Sequence, residues 1–296
     1  MLKNWIQAAR LRTLPLAIAC IGTGGFLAAS KELFEPVIFG LTLLTAFLLQ
    51  VLSNFANDYG DSQNGADSEE RVGPSRAVQT GAISSKAMRN AVIIFAILSF
   101  LSGVSLLYLS LETWEELAVF LGMGILSVIA AITYTMGNNP YGYAGFGDIS
   151  VLLFFGLLAV GGTYYLQAHQ LDWQVLLPAT SLGLFATGVL NVNNIRDIES
   201  DVKAGKYSIP VRLGRKKAVV YHWTLLGFGW VCSIVYLVMN YENLWQLLFV
   251  ASLPLFIINA IAVRQKKTAD ALDPYLKQMA ISTLIFSILF GMGQIL

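Results

Sequence analysis

Apolar residues occur along this chain in long unbroken runs, and polar residues collect in the gaps between them. The runs cover 14–30, 36–53, 91–110, 116–136, 148–168, 174–193, 218–239, 243–263 and 276–296. They lie near the length of about 20 residues needed to cross the hydrocarbon of a bilayer. Inside lipid the backbone has to satisfy its own hydrogen bonds, so runs of this kind predict helices. The expected architecture is an all-α polytopic membrane helix bundle of about nine transmembrane helices, forming a single domain over 1–296. The first run is not expected to be a cleaved signal peptide, because comparable runs follow it and no A-x-A-like site does.

Composition agrees with this pattern. The chain is 56% hydrophobic and 12% charged, whereas a soluble domain carries roughly 25% charged residues. The formal net charge of +1 says little; the placement of charge says more. With nine spans, segments 1–13, 54–90, 137–147, 194–217 and 264–275 share one side, and with Lys277 they hold eighteen of the nineteen Lys and Arg residues. Only Lys31 faces the other way. Positive charge stays cytoplasmic, so the N-terminus and the long loops 54–90 and 194–217 are expected inside and the C-terminus outside.

Two acidic clusters close the second and sixth runs. One is Asn57-Asp58-Tyr59-Gly60-Asp61, followed by Asp67, and the other is Asn193-Asn194-Ile195-Arg196-Asp197, followed by Asp201. Asp58 and Asp61 are three apart, and Asp197 and Asp201 four apart, so each pair shares a face if the helix continues. Carboxylates beside hydrocarbon are costly and mark function. Paired carboxylates can hold Mg²⁺, which commonly shares its shell with substrate phosphates. Bases follow the acids in both segments: Arg71, Arg76 and Gln79 after the first, then Lys203, Lys206 and Arg212 after the second. Metal plus a diphosphate would satisfy both, with Arg forks and Lys point charges on the remaining oxygens. The alternative is that acids and bases pair with one another at the headgroup interface. The clusters recur after about four spans, which suggests a duplication of spans 1–4 and 5–8 with a ninth appended. Parallel repeats would bring the carboxylates together across one central cavity.

The third inner segment, Tyr134-Thr135 through Asn138-Asn139-Pro140-Tyr141-Gly142-Tyr143 to Gly147-Asp148, has no basic residue. It reads either as a turn with interfacial tyrosine anchors or as a pocket wall for a flat apolar partner or a cation. Cys20 and Cys232 both fall in spans and are expected as small buried residues. Neither His169 nor His222 has a partner at ligand spacing.

Together these motifs resemble the UbiA-type membrane prenyltransferase superfamily. Its 1,4-dihydroxy-2-naphthoate branch, of menaquinone synthesis, is similar in more detail. The matching stretches are Arg12-Thr13-Leu14-Pro15, Asn57 to Asp61, Gly65-Ala66-Asp67, Arg71-Val72-Gly73-Pro74-Ser75-Arg76 with Gln79, Pro140 to Asp148, Gly162 to Tyr165, and Asn193 through Lys206 to Gly214. Other members often carry a third Asp where this chain has Gly65; here the acid stands at Asp67, a shift the naphthoate branch shares.

The resemblance implies a nine-helix bundle with a lipid-open cavity, in the bacterial cytoplasmic (inner) membrane. It implies Mg²⁺-dependent transfer of a polyprenyl group from its diphosphate to 1,4-dihydroxy-2-naphthoate, with loss of CO₂, giving demethylmenaquinone. On this reading Asp58 and Asp61 hold one Mg²⁺, Asp197 and Asp201 a second, and Asn57 and Asn194 complete or orient the shells. Arg71, Arg76, Lys206 and Arg212 are candidates for the diphosphate oxygens, with Arg76 and Lys206 preferred. Arg12 or Gln79 would hold the ring's carboxylate or hydroxyls, Tyr134 would shield the cation or touch the ring, and Asp67 would bind metal or position Arg71 or Arg76. Expected partners are the two substrates and membrane lipid, and no nucleic acid. The rival readings are a prenyltransferase for 4-hydroxybenzoate, homogentisate or a tetrapyrrole alcohol, and a membrane transporter or Mg²⁺ channel.

Overall fold

The computed structural model describes residues 2–63 and 76–296, with Arg12 described by its backbone alone. The described residues form helices joined by turns and short irregular connections, with no strand. A short α1 (Leu2–Ala8) and a 3-10 turn at Leu11–Thr13 lead into α2 (Leu14–Ala29), α3 (Pro36–Gln63), α4 (Ser85–Ser110) and α5 (Trp114–Thr133). A continuous helical element follows: α6 (Gly147–Val151), a π-helix at Leu152–Gly162, and α7 (Thr163–Ala168). A 3-10 turn at Trp173–Val175 opens α8 (Leu176–Arg196), and α9 (Ile198–Lys203) follows it. The chain ends with α10 (Ile209–Met239), a 3-10 stretch at Leu244–Ser252 running into α11 (Leu253–Gln265), and α12 (Ala269–Ile295).

Each of the nine expected runs falls on one of these helical elements. Eight are long and apolar enough to cross a membrane, whereas α2 has 16 residues. At 1.5 Å per residue α2 is about 24 Å long, a little short of the ~30 Å hydrocarbon core. Several helices outrun their apolar windows. Helix α3 continues ten residues beyond position 53, and α10 begins nine residues before 218. Segments 54–90 and 194–217 are therefore helical over much of their described length, not open loops. Their polar residues remain helical because the backbone stays paired and the ends are capped: Ser84 accepts from the Ala87 N–H at the start of α4. Gly214, with φ 72°, kinks α10 just past its start.

Burial is uneven. Helix α8 sits at the centre, and its Phe185 packs with Trp230, Phe256 and Phe286, to which Phe249 and Phe290 add further rings. The Phe185–Phe256 and Phe185–Phe286 centroids lie 4.5 and 5.0 Å apart, within the range favoured by aromatic pairs. Between lipid-embedded helices small residues replace the hydrophobic drive by letting backbones approach. Gly156 and Gly183 do this where the π-helix crosses α8: a Cβ on Gly156 would lie 2.6 Å from the Ala179 carbonyl. The second half of the chain is thus a dense aromatic core. The first half, with α5 on its rim, leaves a cavity between helices.

Candidate active site

The last turns of α3 carry the first acidic cluster into the interior. Asp58 is buried, and its carboxylate accepts the backbone N–H groups of Ala77 at 3.0 Å and Val78 at 3.2 Å. Those N–H groups open the turn that closes with Thr80 N–H on the Arg76 carbonyl at 3.0 Å. Asp58 therefore seats the returning chain against α3. Asp61, one turn on and also buried, pairs with the Arg76 guanidinium and accepts the Tyr143 O–H at 2.6 Å. Arg76 donates as well to the Asn57 backbone carbonyl, while the Asn57 side-chain oxygen accepts from the Thr135 hydroxyl at 3.0 Å. Gly60 allows this contact: a Cβ there would stand 2.5 Å from the Thr135 carbonyl.

The second cluster lies where α8 ends. Asp197 leaves the helical region at φ −97°, ψ 9°, yet the Asp201 N–H still reaches its carbonyl at 2.8 Å, so the two acids stay one turn apart. Arg196 grips Asp197 with a fork of 2.7 and 2.8 Å, and also donates to Asp273 at 2.5 Å and Asn193 at 2.9 Å. Lys206 stands 3.3 Å from the Asp201 carboxylate. Gly205, at φ 68°, lets the chain turn back so that the Lys206 N–H bonds the Asp201 carbonyl at 2.8 Å. Segment 204–208 is then strapped to the 137–147 turn. The Tyr207 N–H donates to the Tyr143 carbonyl at 2.8 Å, and Arg212 donates to the carbonyls of Ala144 at 2.7 Å and Tyr207 at 3.0 Å.

A cavity of about 410 Å³ lies between α2, α3, α4, α5, the π-helix and α8. Its polar end is lined by Asn57, Asp61 and Arg76 from the first cluster and by Asn193, Asn194 and Lys206 from the second, with Tyr134 and Thr135 beside them. Its far end is lined by apolar residues such as Phe100, Phe120, Phe154, Leu158 and Leu166. The Asn194 side-chain oxygen is buried with no hydrogen-bond partner. A buried acceptor left so is costly, and a cation or donor in the cavity would relieve it. Tyr134 packs edge-on to Tyr141, with centroids 5.3 Å apart. Burial pushes the Tyr141 phenol up, so it stays a neutral O–H that donates to the Ala130 carbonyl at 2.9 Å.

The structure therefore brings Asn57, Asp61, Arg76, Tyr134, Asn194 and Lys206 to one cavity. It does not bring all four aspartates to that surface. Asp58, Asp197 and Asp201 are not among the lining residues, and among the described residues no three Asp, Glu, His or Cys side chains stand close enough to hold one metal ion. The carboxylates of Asp58, Asp197 and Asp201 stand behind the cavity wall, each held by partners of its own. The reason is local pairing: a buried charge has to be compensated, and each carboxylate already has a cation or N–H groups. Gln79 and Arg212 also lie off the cavity lining, and Arg212 instead joins two turns. Asp67 and Arg71 lie outside the described residues, as does the Arg12 side chain. Tyr143 and Arg196 were not anticipated as partners of the aspartates. Arg196 beside Asp197 was visible in the motif, whereas the Tyr143–Asp61 bond joins residues far apart in the chain.

The chain matches the UbiA prenyltransferase family over residues 16–290. It is similar to the 1,4-dihydroxy-2-naphthoate octaprenyltransferase of Haemophilus influenzae, at 50% identity across 100% of this chain and 96% of that one. The enzyme of the same description from Escherichia coli is 46% identical across 98% of this chain and 94% of its own. In fold it is similar to a UbiA homologue from Aeropyrum pernix, with TM-score 0.68, 17% identity and coverage of 95% and 96%. It is also similar to a UbiA homologue from Archaeoglobus fulgidus bound to DMAPP and Mg²⁺, with TM-score 0.63, 17% identity and coverage of 95% and 98%. With a matched region that spans nearly the whole helical bundle, this chain belongs to the UbiA prenyltransferase family.

Proposed function

We propose that this chain is a membrane-embedded prenyltransferase that moves a polyprenyl group from its diphosphate to 1,4-dihydroxy-2-naphthoate. The observation that carries the proposal is a cavity to which both acidic motifs supply polar groups and whose remaining wall is mostly apolar. A prenyl diphosphate has the same division, with a charged head and a hydrocarbon tail. The acceptor is taken from the naphthoate octaprenyltransferases to which the whole chain is similar.

The donor set fits Mg²⁺ in its chemistry. The two clusters offer Asp and Asn oxygens, which suit a hard cation, and the unpartnered Asn194 oxygen adds an acceptor at the cavity. Asp58, Asp61, Asp197 and Asp201 would hold the metal, with Asn57 and Asn194 orienting them. When bound, Mg²⁺ supplies Lewis-acid stabilisation of the leaving diphosphate oxygens.

The chain's own residues do the rest. Arg76 pairs with Asp61 and Lys206 with Asp201. A diphosphate in the cavity would give both cations a second anion, and Asp61 and Asp201 would then be available to hold the metal. Arg76 is suited to a bidentate grip on phosphate oxygens and Lys206 to a point-charge contact. Preorganised donors of this kind act where negative charge develops as the allylic C–O bond breaks. Tyr134 lines the cavity beside them, and an aromatic face stabilises a cation by roughly 0.5–2 kcal/mol. The electron-rich ring attacks the allylic carbon through the carbon bearing its carboxylate. Loss of CO₂ then restores aromaticity, and the bond-forming electron pair comes from the ring. The basic residues at the helix ends support a polar end at the cytoplasmic face of the bacterial inner membrane, with the C-terminus outside.

The test is purified protein with Mg²⁺, one polyprenyl diphosphate and either 1,4-dihydroxy-2-naphthoate or 4-hydroxybenzoate, with products identified by mass. The expected product has lost CO₂ and appears only with the naphthoate. Prenylation of the benzoate alone, or no diphosphate-dependent product, overturns the proposal.

A further inference from the structure

A second concentration of charge lies away from the cavity, where the start of α10 meets the end of α11. Arg215, Lys216 and Lys217 stand on α10, and Arg264, Lys266 and Lys267 stand at the other end of the pairing. The two runs are physically joined, because the Arg215 guanidinium donates to the Lys266 backbone carbonyl. Deeper along the same seam the Trp223 indole N–H donates to the Ala260 carbonyl at 3.1 Å, and His222 bonds Asn259 at 3.0 Å. The helices are thus antiparallel neighbours fixed at both levels.

Each helix also carries a basic residue at the head of an exposed apolar stripe. On α10 the stripe is Lys216, Val220, Trp223, at i, i+4, i+7. On α11 it is Arg264, Ile261, Ile257, at i, i−3, i−7 read toward the interior of the membrane. Residues at these spacings share a helix face. Val220 is 66% exposed and Trp223 45% exposed, so this apolar surface is left to lipid chains. Of the nearby acids, Asp273 is engaged by Arg196, which leaves Asp270 beside a strongly positive edge.

We infer that the α10–α11 seam is a binding site for an anionic phospholipid, its phosphate held by Lys216, Lys217, Lys266 and Lys267 and its acyl chains lying on Val220, Trp223, Ile257 and Ile261. Charge complementarity selects this occupant. Each Lys or Arg near a membrane surface adds to the attraction for anionic lipid, and a zwitterionic headgroup cannot collect it. The apolar stripes separate a lipid from a free phosphate, which would use the basic residues alone. None of these residues lines the reaction cavity.

The experiment is thermal unfolding of the purified full chain in neutral detergent with added phosphatidylglycerol, cardiolipin, phosphatidylcholine or inorganic phosphate. The anionic lipids are expected to raise Tm by several degrees more than phosphatidylcholine, and phosphate to leave it unmoved. The combined variant Lys216→Gln, Lys217→Gln, Lys266→Gln, Lys267→Gln should lose the difference between lipids while keeping prenyl transfer. High salt should remove the same difference from the unmodified chain, because exposed charges are screened beyond about 3 Å at 1 M salt, and this arm holds even if the variant folds poorly. Equal shifts from all lipids, an equal shift from phosphate, or a preference that survives both substitution and salt overturns the inference.

Discussion

At the polar end of the cavity a buried carboxylate and a buried guanidinium neutralise each other. Asp61 and Arg76 stand in this relation, and breaking such a pair from one side costs roughly 3–5 kcal/mol because the remaining charge is stranded. The informative substitution therefore keeps the charge. Arg76→Lys retains a cation for Asp61 but loses the fork. It is expected to lower kcat/KM for the prenyl diphosphate by about tenfold, or ~1.4 kcal/mol, in a steady-state transfer assay, with Tm changed by little. An unaltered kcat/KM would remove Arg76 from diphosphate binding. Asp58 makes a different prediction. Its carboxylate accepts two backbone N–H groups, and hydrogen bonds to a charged group are worth about 1.5–3 kcal/mol. Asp58→Ala should therefore release the 76–80 turn, seen as faster limited proteolysis there, besides reducing transfer. Unchanged protection would leave Asp58 without the seating role. Acid followed by base was readable in the sequence at Asp61 and Arg76. That Asp58 would spend its oxygens on Ala77 and Val78 was not, since backbone partners leave no trace in residue type.

Elements were legible wherever hydrophobicity alone decides them, and less so where polar residues continue a helix. All nine apolar runs became helical elements, but Asn57, Asp58 and Asp61 look like a loop beyond the apolar limit at 53 when they are in fact the last turns of α3. Capping and the backbone's own pairing extend a helix past the edge of its apolar face, and hydropathy does not register either. The π-helix at Leu152–Gly162 had no signal at all, because its residues are almost uniformly apolar. Close approach between elements carries its own prediction. Gly60 meets the Thr135 carbonyl, a backbone atom that cannot swing away. Gly60→Ala should force α3 off the 134–135 segment at a cost of about 1–3 kcal/mol, the usual range for overpacking. It should also disturb the Thr135–Asn57 hydrogen bond at the cavity. Thermal unfolding should show a lowered Tm together with weaker activity. Gly40→Ala, where no atom lies within reach of a Cβ, should show neither.

At the scale of the molecule, the two halves divide the work. The second half packs Phe185, Phe256, Phe286 and Phe290 into an aromatic core around α8, while the first half, with the π-helix, keeps a cavity open against the other side of α8. The motifs meet only because α3 and α8 both end at the same side of that cavity, with the 137–147 turn strapped across both by Tyr143 and Arg212. Pattern reading supplied the helices and the two motifs; their meeting depends on packing between distant segments, which one sequence alone does not encode in readable form. This meeting can be measured. Arg76 belongs to the first motif and Lys206 to the second, and each has its own aspartate partner. If both cations act on one bound diphosphate, their effects are coupled. A cycle of Arg76→Lys, Lys206→Gln and the double variant, read as kcat/KM, should give an interaction energy of about 0.5–3 kcal/mol. Two separate anion sites would instead give additivity within roughly 0.3–0.5 kcal/mol, as expected for independent positions. Lys206→Gln leaves Asp201 with less compensation, so each variant's Tm is needed to show that the coupling arises in the substrate complex. Coupling in kcat/KM without coupling in Tm is the outcome that one shared diphosphate requires. Additivity in both would mean that the two halves handle anions independently.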